Sequence, residues 1–217
     1  MGWPALLAAW MPELLAAARG TIEMTALAFV LAATLGLALA LARLSRIGLL
    51  SRSAFVYIEV VRGMPAVTLL FLIYFGLTSF GIALYAFAAA VIGLGLNGAA
   101  YLAEVYRAGI EAIHPGQREA AQMIGMRHGQ VLREVVLPQA LAVVLPPMGN
   151  YVIALLKDTS IASLISAPEL MLRARDLTSE YFMPMQLYLL VGAMYLGMAY
   201  PLARAVRFME LRLARGR

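Results

Sequence analysis

Five stretches of this chain are each long and apolar enough to cross a lipid bilayer. That constrains the fold more than anything else in the sequence, because only helices and closed barrels satisfy their backbone polar groups inside hydrocarbon. A spanning helix takes about 20 mostly apolar residues. The stretches run from about Thr21 to Ala42, Phe55 to Leu77, Ile82 to Tyr106, Pro138 to Leu156 and Met185 to Ala205. With 63% hydrophobic and only 13% charged residues and a mean hydropathy of +0.82, the composition lies outside the range of soluble domains. The expected fold class is an all-α integral membrane protein with five transmembrane helices.

Orientation follows from the basic residues, which stay in short cytoplasmic loops. Arg43, Arg46 and Arg52 follow the first span, Arg107, Arg118, Arg127 and Arg133 the third, and Arg204, Arg207, Arg212, Arg215 and Arg217 the fifth. Against these twelve stand Arg19, Arg173 and Arg175 on the other side, with Arg62 and Lys157 within or at the edge of spans. The count places the N-terminus outside and the C-terminus in the cytoplasm. Arginines gathered at span ends are topology signals, so the formal charge of +5 argues for no nucleic-acid partner.

The chain reads as one transmembrane domain over residues 1–217. Residues 1–19 lack a basic leader and carry Pro12 and Glu13, so they are expected to be retained rather than cleaved as a signal peptide. Leu6, Leu7, Trp10 and Leu14 recur at helical spacing, which predicts a short helix lying in the membrane interface. Thr78–Gly81 is a tight outer turn. Residues 157–184 form a longer outer loop, in which Ser166, Ala167, Pro168 and Glu169 read as a capping box that starts a helix bearing Arg173, Arg175 and Asp176. That helix has two readings, a dock for a soluble partner or a solvated connector.

Polar and ionisable groups at membrane depth are costly and mark function. In the second span Arg62-Gly63-Met64-Pro65 predicts a break, since proline lacks a backbone donor and clashes with the preceding turn; Glu59 stands three residues before Arg62, and Thr68 one turn after the break. The third span carries Asn97 and Glu104 on one face, and Glu104 reads either as a pathway residue or as a partner of Arg107 at i+3. Pro146-Pro147 makes the fourth span look the most irregular, with Asn150 one turn beyond. Met64, Thr68, Asn97, Glu104 and Asn150 are the candidates for lining a substrate path between discontinuous helices.

Residues 114–138 form the longest polar interval, expected to be a cytoplasmic loop. Pro115-Gly116 turns the chain, and Gln117 to Met126 suit a short helix with Glu119 near its N-terminus. Ala120, Ala121 and Ile124 are expected on one face, open to a partner, with Gly125 permitting the closing turn. A second helical segment, Gly129 to Leu137, is expected to be interrupted by Pro138. The chain has no cysteine, and its two histidines, His114 and His128, both fall in this loop, so no metal site is expected. A phosphate-binding glycine loop with its Lys-Ser/Thr is likewise missing.

Glu119-Ala120-Ala121, Gly125, Val135 and Leu137-Pro138 stand at the spacing of the signature carried by inner-membrane permease subunits of bacterial ATP-binding-cassette importers, and the chain resembles that family. Arg62-Gly63-Met64-Pro65, Ala103-Glu104, Arg107-Ala108-Gly109-Ile110, Gly116-Gln117, Leu137-Pro138-Gln139-Ala140 and Leu156-Lys157-Asp158-Thr159-Ser160 are similar to the polar amino-acid uptake branch, over roughly residues 20 to 215. Met64 stands where that branch has threonine. The resemblance implies a bacterial inner-membrane, multi-pass permease that carries a polar or charged amino acid and is not itself an enzyme. It also implies a second permease subunit, identical or paralogous, a periplasmic amino-acid-binding protein, and a cytoplasmic ATPase dimer that binds ATP and Mg and holds Glu119, Ala120, Ala121, Ile124 and Gly125 as a coupling helix. Two other classes stand beside it: a membrane-embedded enzyme, and a non-transporting scaffold or sensor that docks an ATPase.

Overall fold

The computed structural model describes residues 3–214, and among them every regular element is helical; Arg215 and Arg217 of the charge count lie outside that range. Helix α1 (Trp3–Arg43) is one uninterrupted rod of 41 residues, about 60 Å long at 1.5 Å per residue. That is about twice the hydrocarbon thickness. The expected boundary near residue 19 is therefore not a break in the backbone. Pro12 sits inside the helix. Leu6, Trp10, Leu14 and Ala18 form its buried stripe, packed against Leu170, Leu177, Leu187 and Val191 from the far end of the chain.

The expected break in the second span is present and sharp. Helix α2 (Gly48–Gly63) and helix α3 (Ala66–Ser79) meet at a bend of 108°. Pro65 disfavours the helical region for the residue before it, and Met64 accordingly has extended dihedrals, φ −100 and ψ 141. A π-helical stretch, Leu72–Gly76, lies within α3. The turn between α3 and the next helix closes as a Schellman motif, with Ile82 N–H on Leu77 O, Gly81 N–H on Thr78 O, and Gly81 at φ +82.

Helix α4 (Ala86–Glu111) is the central element. Its buried face is mostly Gly and Ala, the composition that lets helices approach closely in lipid. A Cβ on Gly98 would meet Ala32 of α1 at 2.8 Å and the Tyr151 hydroxyl at 2.1 Å. After the short helix α5 (Pro115–Met123) the chain continues through a π-helical stretch, Val131–Val136, into helix α6 (Leu137–Asp158). The prolines of this region do not break the helix where the sequence suggests. Pro138 falls at the first turn of α6, and Pro146 and Pro147 lie inside it. The irregular turns stand instead on either side, as the π stretch before α6 and a 3-10 stretch, Thr159–Ile165, after it. Widening the backbone ahead of a proline accommodates its missing donor and ring, one of the adjustments available at membrane depth.

Helix α7 (Leu170–Tyr181) then crosses the start of α1, and helix α8 (Pro184–Ala214) returns along α6. Counted alone, four helical stretches among the described residues qualify as membrane spans, and the bent α2–α3 pair makes five.

Candidate functional site

Two regions hold Glu104 and the Glu119–Gly125 segment. The first is a cleft of about 320 Å³ between the end of α2, the last turns of α4 and the middle of α6; its polar lining is Arg62, Tyr101, Glu104 and Arg107, with Val143 and Pro147 opposite. Glu104 does not face it as a free charge. Arg107 donates to Glu104 from Nη2 at 2.6 Å and from Nε at 3.1 Å, and pairs through Nη1 with Glu111. The i+3 pairing of Glu104 with Arg107 is present, and the paired carboxylate still lines the cleft. Arg62 forms no ion pair with Glu59 among the described residues; its charge instead acts on Glu104 across the cleft.

The other four path candidates do not line this cleft. Met64 is half-buried against the central apolar cluster; Asn97 is half-buried on α4, and Thr68 and Asn150 are exposed. Sequence reasoning missed Arg62, Tyr101 and Pro147 as lining residues. Tyr101 carried a readable signal, because Asn97, Tyr101 and Glu104 fall at i, i+4 and i+7 on one helix face. Its ring stacks on Tyr151 with centroids 5.1 Å apart, and only the tertiary fold brings that partner.

The second region is α5. His114 is its N-cap, with Nδ1 accepting from Gly116 N–H at 3.1 Å, and Pro115 fills the first helical position, where no donor is needed. The C-terminus is another Schellman motif: Met126 N–H reaches Ala121 O, Gly125 N–H reaches Gln122 O, and Gly125 sits at φ +84, as its residue type predicts. Ala120, Ala121 and Ile124 do not share one open face. Ala121 is buried with Ile113, Val131, Val136 and Ala140, whereas Ala120 is exposed and Met123 and Ile124 are 87% and 79% exposed. Neighbours in a helix point about 100° apart, so one alanine ties α5 to the body while the other joins the outward surface. Glu119 is exposed as well.

At the opposite end of the bundle a cleft of about 480 Å³ lies between α1 and α7, with Arg19, Glu23, Arg173 and Asp176 on its walls. The cap of α7 is not Ser166, which adopts a left-handed conformation at φ 59. Glu169 takes that role, accepting from Met171 N–H at 2.8 Å and Leu172 N–H at 2.6 Å, while the Tyr195 hydroxyl donates to it at 2.8 Å. Burial pushes the Glu169 carboxyl above its ordinary pKa, against the opposing pull of these hydrogen bonds and of the Arg175 charge. Among the described residues no group of three His, Cys, Asp or Glu side chains is placed to hold a metal ion.

The family model for the binding-protein-dependent transport system inner membrane component matches residues 14–215. A probable amino-acid ABC transporter permease protein of Bacillus subtilis (strain 168), YckA, is 40% identical over 161 residues, covering 74% of this chain and 71% of its own. A probable amino-acid ABC transporter permease protein of Vibrio harveyi, PatM, is 37% identical over 206 residues, covering 94% and 92%. Among solved structures, a crystal structure of an amino acid ABC transporter with histidines superposes with a TM-score of 0.92 at 35% identity, covering 98% of this chain and 99% of that one.

Proposed function

The chain belongs to the family of binding-protein-dependent transport system inner membrane components, and on that premise we infer how its parts divide the work of an amino-acid importer. It is a permease subunit, a multi-pass protein of the bacterial inner membrane. In our reading the N-terminus faces outward and the arginine-rich ends face the cytoplasm, in keeping with the twelve-to-three distribution of basic residues. ATP and Mg belong to a separate ATPase dimer below, a second permease subunit completes the path, and a periplasmic binding protein delivers a polar or charged amino acid from above.

The observation that carries this reading is α5. A nine-residue helix closed at both ends and seated on the body through Ala121 presents Ala120, Met123 and Ile124 outward. That is the form of an element held in a groove of another protein. Force applied to α5 passes through Ile113 to the end of α4, and through Val131, Val136 and Ala140 to the base of α6. Those two helices frame the cleft that holds Arg62 and the Glu104–Arg107 pair. Displacing α5 as a rigid body would therefore move the cleft walls relative to α2, in the manner of a domain shift rather than a local flexing. Met64, Thr68, Asn97 and Asn150, with Glu104, remain the candidates for contact with substrate once a second subunit faces these helices.

The test is Gly125→Val in the assembled importer in proteoliposomes. A β-branched residue in the left-handed region costs about 1–3 kcal/mol, so the Schellman closure is lost and α5 leaves its seat. Uptake is expected to fall about tenfold while ATP hydrolysis continues and membrane insertion is intact. Unchanged uptake removes α5 from the coupling role, and cysteines at Arg127 and Arg173 that label from the same side of the membrane overturn the orientation.

A further inference from the structure

The corner between α1 and α2 carries arginines on a stretch of sequence without acidic residues, bounded by Glu23 and Glu59. From Met24 to Ile58 the chain holds no acidic residue, and its only charges are Arg43, Arg46 and Arg52. Arg43 is satisfied locally, its guanidinium 4.8 Å over the Phe55 ring and 3.3 Å from the Ser51 hydroxyl. The side chains of Arg46 and Arg52 make no ion pair or hydrogen bond among the described residues. Elsewhere at that end Arg107 is paired with Glu104 and Glu111, Arg118 reaches the Ile110 carbonyl, and Arg204 and Arg212 stack on Tyr200 and Phe208; the side chains of Arg127, Arg133 and Arg207 also make no ion pair or hydrogen bond among the described residues, but Glu134 adjoins Arg133 and Glu210 stands three residues from Arg207.

Around the two open arginines the surface is apolar and points outward, with Ile47 63% and Leu49 80% exposed. This surface continues the lipid-facing side of α1, where Leu27, Val30, Leu37 and Leu41 are exposed. A groove of about 500 Å³ starts at Arg52 and Ser53 and runs along α2 past Val56, Tyr57 and Val60 to Val61. Nine residues of helix span about 13 Å, a length suited to much of one acyl chain. Tyr57 is fixed in the groove floor by its hydroxyl bond to the Leu96 carbonyl at 3.0 Å.

We propose that this corner binds an anionic phospholipid, with its phosphate on Arg46 and Arg52 and one acyl chain in the α2 groove. A free phosphate or a soluble organic phosphate would use the same cations but leaves the valine-lined groove unfilled. An acidic protein surface would meet the arginines but has no reason to cover the exposed Ile47 and Leu49, which follow directly on the apolar span of α1. Guanidinium groups suit the phosphate geometry, and each basic residue near an anionic membrane surface contributes a factor of about five in binding. The proposal is independent of the roles assigned to α5 and the cleft.

The experiment uses the assembled importer in nanodiscs of phosphatidylcholine with a rising fraction of phosphatidylglycerol, and counts retained lipid by native mass spectrometry. The expected result is a tightly retained phosphatidylglycerol whose apparent affinity falls about fivefold in Arg46→Gln and about 25-fold in Arg46→Gln/Arg52→Gln. Arg46→Lys/Arg52→Lys, which keeps the charge, should retain most of it. A Val56→Asn/Val60→Asn variant should weaken phosphatidylglycerol without changing its competition with salt. Three outcomes overturn the proposal: an equal loss in Arg204→Gln/Arg207→Gln, which makes the preference a general charge effect; displacement by glycerol phosphate at matched concentration, which makes the site one for a soluble anion; and protection of a cysteine at position 46 or 56 by the ATPase or by a second permease copy, which makes the corner a protein interface.

Discussion

Where α1 begins, Glu13 pairs with Arg173, a residue 160 positions away, Thr21 accepts from Leu170 N–H at 3.1 Å, and the buried Glu169 carboxylate joins the cap of α7 to Tyr195 of α8. Where α4 ends, α5 is held to the body by a small apolar cluster around Ala121 and a single long bond from Arg118 to the Ile110 carbonyl. Specific polar contacts have narrow minima, so the first end behaves as one frame. Apolar contacts between small side chains are non-directional, and a helix seated on them can be rocked without breaking any particular bond. Directional polar contacts therefore hold the end at α7, and small apolar contacts hold the end at α5.

The largest test of the rigid end is Gly20→Val. A Cβ there would lie 2.4 Å from the Pro168 carbonyl oxygen, and backbone cannot step aside as a side chain can. A loss of about 3 kcal/mol, the upper end for overpacking, is expected as an earlier unfolding transition in detergent; a transition within error of the parent would mean that α1 and the turn before α7 are not in contact. Next is Glu169→Ala, which leaves two backbone donors and the Tyr195 hydroxyl without their acceptor. It should cost about 2 kcal/mol by the same assay, with uptake reduced only in proportion to folded protein.

The mobile end should respond in the opposite way. Met123→Ser with Ile124→Ser removes two exposed side chains, so stability should change by less than about 0.5 kcal/mol while uptake by the assembled importer falls sharply. A loss of stability without a loss of uptake would reverse the assignment of the two ends.

The smallest effect is a pH dependence confined to the rigid end. Because burial raises the Glu169 pKa in the folded state, the native state holds the proton to higher pH than the unfolded chain. The contribution is fully present below the ordinary carboxyl value and is lost as pH rises through the raised one. The unfolding temperature of the parent relative to Glu169→Gln should therefore decline as pH rises above the ordinary carboxyl range of about 4. A flat difference would show that the carboxyl stays ionised in the fold.

Much of this architecture is readable from local chemistry. Apolar length locates the spans, the Arg62–Pro65 segment marks the bend, and Gly125 marks the end of α5, since each depends on residues within one turn. The Arg107 alternative for Glu104 was visible for the same reason, at i+3. What escaped is set by residues far apart in sequence. Trp10 and Leu14 look interfacial until Leu170 and Leu187 arrive to bury them. Ala120 and Ala121 look equivalent until Val131 and Val136 cover one of them. Glu169 reads as the third residue after a serine cap rather than the cap itself, because the choice depends on Tyr195 and Thr21. Pro146 and Pro147 overstate disruption, since the helix from Leu137 to Asp158 runs through both of them.

The 108° bend at Met64 and Pro65 also bears on how the chain is made. A ribosome synthesises α2 and α3 before α4, yet Leu69, Leu70 and Ile73 of the bent pair are buried against α4, with Leu70 3.2 Å from where a Cβ on Gly93 would lie. A bend of extended backbone cannot rest in lipid alone, because its polar groups need protein or water around them. Packing of α4 against Leu69, Leu70 and Ile73 supplies protein cover beside the bend, so the third span completes the second.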